Sequence, residues 1–267
     1  MRISLVLLAT VFTAASLGAQ QSSRAERFLR DCDDNGDDQH DRFCEVRDFR
    51  LKAPAAALSV DGRDNGGVTF SGWDQGGVLV RALISASGES RAEAQDLAKQ
   101  VTLQTSGDRV YAEGPRPRRH AWWSVSYEVF VPRRTDLEAD TRNGGVSVDG
   151  VEGRMNLRAV NGGIHLINVG GDIRAETTNG GVHADLSGST WKGQGLELET
   201  TNGGVELNIP RGYNAELETG TVNGGMNIDF PITVQGSIGR RITTRLGTGG
   251  PRVRATTTNG GVRISQR

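Results

Sequence analysis

The sequence predicts an all-β fold, a parallel β-solenoid, and three observations carry that expectation. Glycine supplies 37 of the 267 residues and proline only 7, so the glycine excess, about twice ordinary usage, does not mark a disordered chain. The hexapeptide "TTNGGV" stands at 177–182, 200–205 and 257–262. Around each copy, apolar and polar residues alternate with period two, the pattern of a strand with one buried and one wet face.

Two architectures use such strands. Asn-Gly is a hairpin signal, so an antiparallel meander is one reading. A meander, however, does not need one residue type in one column. A solenoid does, because each corner stacks on the same corner of the next coil. Aligned on the motif, the column is Asn143, Asn161, Asn179, Asn202, Asn223 and Asn259. The first three are 18 residues apart, and the last interval, 36, counts as two coils in sequence order. Amides one strand spacing apart can hydrogen-bond up such a ladder. Glycines supply the corner backbone. Leu137, Met155, Ile173, Leu196, Leu217 and Val253, with Val146, Ile164, Val182, Val205, Met226 and Val262, form the predicted core columns. "VDGVEG" and "NVGGD" mark turns halfway between Asn corners, and "SGSTWKGQG" reads as an insertion carrying Trp191.

Taken in chain order, residues 1–19 read as a secretory signal, with Arg2, a short apolar run and a small-residue exit. Residues 20–44 form an acidic segment in which Cys32 and Cys44, the only cysteines, are expected to form a disulfide after export. Residues 45–132 read as an opening β-rich section with degenerate repeat copies at Asn65 and Gln75. It holds one helix, near 91–101, started by a Ser90–Glu93 capping box and placed to cover an edge. Residues 133–267 are the regular repeat. No later apolar run is long enough to span a bilayer, so no transmembrane segment is expected.

The export signal, degenerate front section and repeated "TTNGGV" corners together resemble the bacterial exported β-repeat domains grouped as the "putative adhesin" family. The likeness covers about residues 45–267. It implies the solenoid fold and an envelope or surface setting, and it implies no catalytic residue or cofactor.

The residues themselves offer little chemistry. The charge is balanced at 31 basic and 32 acidic residues, which argues against a nucleic-acid partner. Asp31, Asp33, Asn35 and Gly36 open like a calcium loop, but Arg42 stands where the closing acid belongs. His165 and His183 precede Glu206 in one outward column, a set of zinc-ligand types that reads more simply as a wet face. An outward column through Glu138, Asn156, Arg174, Glu197, Glu218 and Arg254 mixes acids and arginines, with Glu197 and Glu218 placed to stack. There is no nucleophile elbow and no phosphate loop. Arg116, Arg118 and Arg119 adjoin Trp122 and Trp123, an aromatic–arginine stretch suited to gripping a sugar or an anionic polymer. The sequence therefore predicts a non-enzymatic module, periplasmic or at the cell surface, without cofactor or metal, whose partner is an envelope polymer, a glycan or a surface protein. A carbohydrate-active β-helix enzyme and a self-associating structural element are the competing readings.

Overall fold

A computed structural model describes residues 24–32, 41–233 and 239–267. The signal and most of the calcium-like loop, including Asp33, Asn35 and Gly36, lie outside the described residues. The fold is all-β and solenoid-like, two mainly parallel sheets packed face to face. Ten strands make the first sheet and ten the second among the described residues.

The opening section contributes β1 (Asp41–Leu51), β2 (Leu58–Asp61), β3 (Val68–Trp73), β4 (Val78–Gly88), β5 (Thr102–Gln104), β6 (Arg109–Glu113) and β7 (Trp122–Pro132). The repeat begins with β8 (Leu137–Thr141), β9 (Val146–Asp149), β10 (Glu152–Asn161), β11 (Ile164–Ile167), β12 (Gly170–Asn179) and β13 (Val182–Asp185). It continues with β14 (Gly195–Asn202), β15 (Val205–Ile209), β16 (Ala215–Asn223) and β17 (Met226–Ile228), then β18 (Arg241–Leu246), β19 (Arg252–Asn259) and β20 (Val262–Gln266). Each layer holds one strand from each sheet, so β10 leads into β11 through Gly162 and Gly163. The predicted core columns face inward. Leu137, Met155, Ile173, Leu196, Leu217 and Val253 are all buried, with Val146, Ile164, Val182, Val205 and Val262 opposite them. Burying one such side chain stabilises by about 1.5–3 kcal/mol, and the repetition extends one continuous core. That core includes Val60, Phe70 and Tyr127 of the opening section, since β2 pairs with β8 and β3 with β9 in parallel register.

Layer follows layer through the Asn column. Asn143 Nδ2 donates to Asn65 Oδ1 at 3.0 Å, Asn161 to Asn143 and Asn179 to Asn161 at 2.8 Å, and Asn202 to Asn179 at 2.9 Å. Asn259 then donates to Asn202 at 2.9 Å, and Asn223 to Asn259 at 2.8 Å. The expected sequence order therefore fails at the end. β19 and β20 insert between β14/β15 and β16/β17, and among the described residues no further coil fills the long interval. Gln75 is not in this column, and Asn65 is its first member.

The neighbouring residues explain the rest of "TTNGG". Thr177, Thr200, Thr257 and Thr221 each donate a hydroxyl, at 2.7–2.8 Å, to the carbonyl of the first glycine in the adjoining layer: Gly162, Gly180, Gly203 and Gly260. A Cβ on Gly180, Gly203 or Gly260 would collide with the carbonyl of the same glycine one layer away.

The regular layering gives way at both ends. Strand β1 pairs antiparallel with β4, and β4 with β7, while the helix Arg91–Gln100 packs on β4, β1 and β7. Ser90 Oγ accepts from Glu93 N at 3.2 Å, one half of the capping box, while Glu93 Oε2 accepts from Glu89 N at 2.8 Å in place of Ser90 N, and Arg47 of β1 donates to the carbonyls of Val101 and Ala98 at the far end. This helix is α2, because residues 24–32 form a helix, α1, that the sequence reading did not anticipate. The expected boundary at residue 44 likewise falls inside β1. At the other end β18 runs antiparallel to β16, and Met226, Ile228, Phe230 and Ile232 pack on the core. Trp191 is a lid: it is buried, and its indole donates to Gly171 O at 2.9 Å.

The Asn side chains are exposed, so water competes for their amides and each rung contributes little. Asn202→Ala, which loses two neighbours, is expected to cost about 1 kcal/mol in urea melts, and Asn65→Ala, which loses one, about half that. Equal shifts would mean that the column is not a coupled ladder.

Candidate binding groove

The arginine–tryptophan stretch does not form an open platform. Arg116, Arg118 and Arg119 are exposed, and the Arg118 and Ala121 backbones bond to each other. Trp123 is half-buried against the core, its indole donating to Pro115 O at 2.7 Å. The Trp122 ring, also half-buried, has the Arg42 guanidinium over it at 5.6 Å. Both rings therefore already have partners within the fold.

Near the same end, α1 is tied down twice. Cys32 and Cys44 are bonded, with Cα atoms 6.1 Å apart. Arg24 reaches Glu128 at 2.9 Å. Burial raises the Glu128 carboxyl above the usual range, against the opposing pull of the Arg24 and Arg81 guanidiniums.

The outer face of the second sheet is a lattice of ion pairs. Arg174 lies beside Glu197, Glu197 beside Arg254, and Arg254 beside Glu218, because β19 sits between β14 and β16. The distances are 3.3 Å for Arg174–Glu197, 2.7 Å for Glu197–Arg254 and 3.5 Å for Arg254–Glu218. Glu197 and Glu218 thus do not stack, as sequence order had implied. A base separates them.

On the outer face of the first sheet, a groove of about 800 Å³ crosses β11, β13, β15, β20 and β17. Its floor is the second glycine of each motif, Gly163, Gly181, Gly204, Gly261 and Gly225, and its wall is His165, His183, Glu206, Arg263 and Asn227. The period-two strand puts these side chains outward, and the absent glycine side chains open the floor beside them. His183 is the best-connected wall residue: Nε2 lies 3.2 Å from Asp185 Oδ1 and Nδ1 3.4 Å from Glu206 Oε2. Asp185 also accepts from Asn208 at 2.7 Å and Arg267 at 2.8 Å. The His165 and His183 ring centres are 6.0 Å apart. Among the described residues, no group of three or more His, Cys, Asp and Glu is arranged to hold a metal ion.

The two glycines of a motif differ in what they leave room for. Stacking forbids a Cβ on the first. A Cβ on Gly261 would rest 3.5 Å from Gly225 O, and one on Gly225 would meet nothing within 4 Å. Sequence reasoning assigned both to the corner and missed the groove. The available signal was the pairing of the second glycine column with an outward column rich in histidine and charge.

Residues 133–265 match the family described as Toastrack DUF4097. Among solved structures, similar ones include a putative cell adhesion protein from Clostridium sporogenes, at 13% identity and TM-score 0.46, covering 85% of this chain and all of that one (100%). A putative adhesin from Parabacteroides merdae, at 9% identity and TM-score 0.43, covers 83% of this chain and 95% of its own. One from Bacteroides fragilis, at 11% identity and TM-score 0.39, covers 84% and 97%. No curated protein matches this sequence. Among the described residues, no helix is long and apolar enough to cross a membrane.

Proposed function

Because this chain belongs over residues 133–265 to the Toastrack family, DUF4097, whose function is unknown, we propose that it is a non-enzymatic, exported binding module of the bacterial envelope. Its scaffold is read as a β-solenoid with coils of about 18 residues turned at Asn-Gly-Gly corners, in keeping with the Asn143–Asn161–Asn179 interval of 18. The groove carries the proposal: it is built by the same column in successive layers, so it offers a linear surface to a linear partner. Export rests on the amino-terminal signal reading and accords with the Cys32–Cys44 bond. The enzyme reading needs a converged acid pair, and it loses support because Glu197 and Glu218, the acids that sequence order placed to stack, have Arg254 between them. The self-associating reading loses support because α2 and antiparallel strands stand at the ends.

The test is sedimentation of the purified protein with separated envelope fractions, polysaccharide, peptidoglycan and membrane, alongside an assay for newly released sugar ends. Saturable binding to one fraction with no released ends is the expected result. Turnover of a glycan would replace this reading with the enzyme, and concentration-dependent growth in light scattering would replace it with the structural element.

A further inference from the structure

We propose that the groove binds an extended acidic polysaccharide along the stacking axis, recognised by a row of glycine N–H groups together with Arg263; this rests on the binding-module reading. The carbonyl of each second glycine is used within the sheet: Val146, Ile164, Val182, Val205 and Val262 donate to Gly163, Gly181, Gly204, Gly261 and Gly225 in turn. The N–H groups of those same glycines have no acceptor among the described residues. The opening section shows what such an N–H takes when an acceptor is near. Gly67 N, in the same column, donates to Ser126 Oγ at 3.2 Å. Ser126 neighbours Tyr127, whose side chain is buried, so the serine stands on the outer face. In later layers the position that Ser126 fills beside Gly67 is held by another glycine, which has no side chain to offer. Gly181, Gly204, Gly225 and Gly261 are also exposed, and all four line the groove.

Donors dominate the groove. Arg263 is exposed and has no ion-pair partner among the described residues, whereas the one acid of the wall, Glu206, lies 3.4 Å from His183 Nδ1. A complementary ligand is therefore rich in acceptor oxygens and negatively charged. Its repeat must match the layers, about 4.8 Å apart. An extended peptide advances about 3.3 Å per residue and drifts out of step with them. A pyranose ring in an extended chain is of the layer's own size, so each sugar can meet one layer, and its carboxylates can meet N–H groups and Arg263. His165 and Asn227 flank this line as further polar contacts.

Calorimetry of the purified protein with oligogalacturonate, maltodextrin of equal length and polyglutamate tests the assignment. Oligogalacturonate is expected to bind, more weakly as salt rises, and the other two not to bind. Arg263→Ala and Gly261→Ala are each expected to weaken it about tenfold with unchanged melting. Arg263→Ala alone decides if the glycine variant fails to fold. Equal binding of polyglutamate, or an affinity that neither variant moves, overturns the proposal. If no oligosaccharide binds but an envelope fraction does, the ligand class is wrong and the binding-module reading stands. If no fraction binds at all, that reading fails and this one with it.

Discussion

Gly203→Ala is expected to lower stability by at least about 3 kcal/mol, the scale of a steric insertion that a packed structure cannot relax around. The Cβ would be driven into the backbone carbonyl of Gly180, and that carbonyl is fixed from two sides. It belongs to the layer stack, and it accepts the Thr200 hydroxyl at 2.7 Å, from a threonine that is itself buried. The clash therefore has to be relieved by separating layers, which also strains the Asn202–Asn179 bond and the core beneath. Gly225→Ala, chemically the same change, meets nothing within 4 Å, and its effect should stay within about 0.5 kcal/mol. Urea melts of the two variants provide the measurement. Similar midpoints would mean that the first glycine is dictated by turn chemistry alone and that the layers do not stack as described.

That contrast also marks what the sequence could and could not reveal. The period-two pattern assigned Leu137, Met155, Ile173 and Leu196 to the core, and all are buried, because strand alternation fixes a side chain's face locally. The Asn column was likewise visible, since it needs only a repeated residue at a repeated place. Layer order was not, because any layer with the same inward columns fits beside any other. The interval of 36 residues between Asn223 and Asn259 counts as two layers in sequence order, whereas β19 turns back to lie between β14 and β16. The clue was electrostatic: sequence order would set Glu197 directly beside Glu218, and the observed order puts Arg254 between them. Helix α1 escaped notice because residues 24–32 show only a short, mostly exposed pattern, and their docking depends on tertiary partners, Glu128 and Cys44. The groove was hidden for a different reason. A glycine required by packing and a glycine that leaves a surface open are the same letter, and only the space around each separates them.

The layer order itself has a direct test in Glu197→Arg. In the observed stack Glu197 lies between Arg174 at 3.3 Å and Arg254 at 2.7 Å. Reversing its sign turns two attractive neighbours into repulsive ones and sets three guanidiniums in a row at strand spacing. Glu197 and Arg254 are about three-quarters covered, with side-chain exposures of 28% and 26%, so solvent screens them only in part. Each cross-strand swing is of the order of 0.5–1.5 kcal/mol, for a total loss of about 1–3 kcal/mol at low salt. Because the Debye length shrinks from about 10 Å at 0.1 M to about 3 Å at 1 M, high salt should recover part of the loss. Had the layers followed the chain, Glu197 would sit between Arg174 and Glu218. The new arginine would then gain one partner while losing another, leaving stability nearly unchanged. Urea melts at both salt concentrations separate the two orders: a variant as stable as the parent at low salt would put β16, not β19, beside β14.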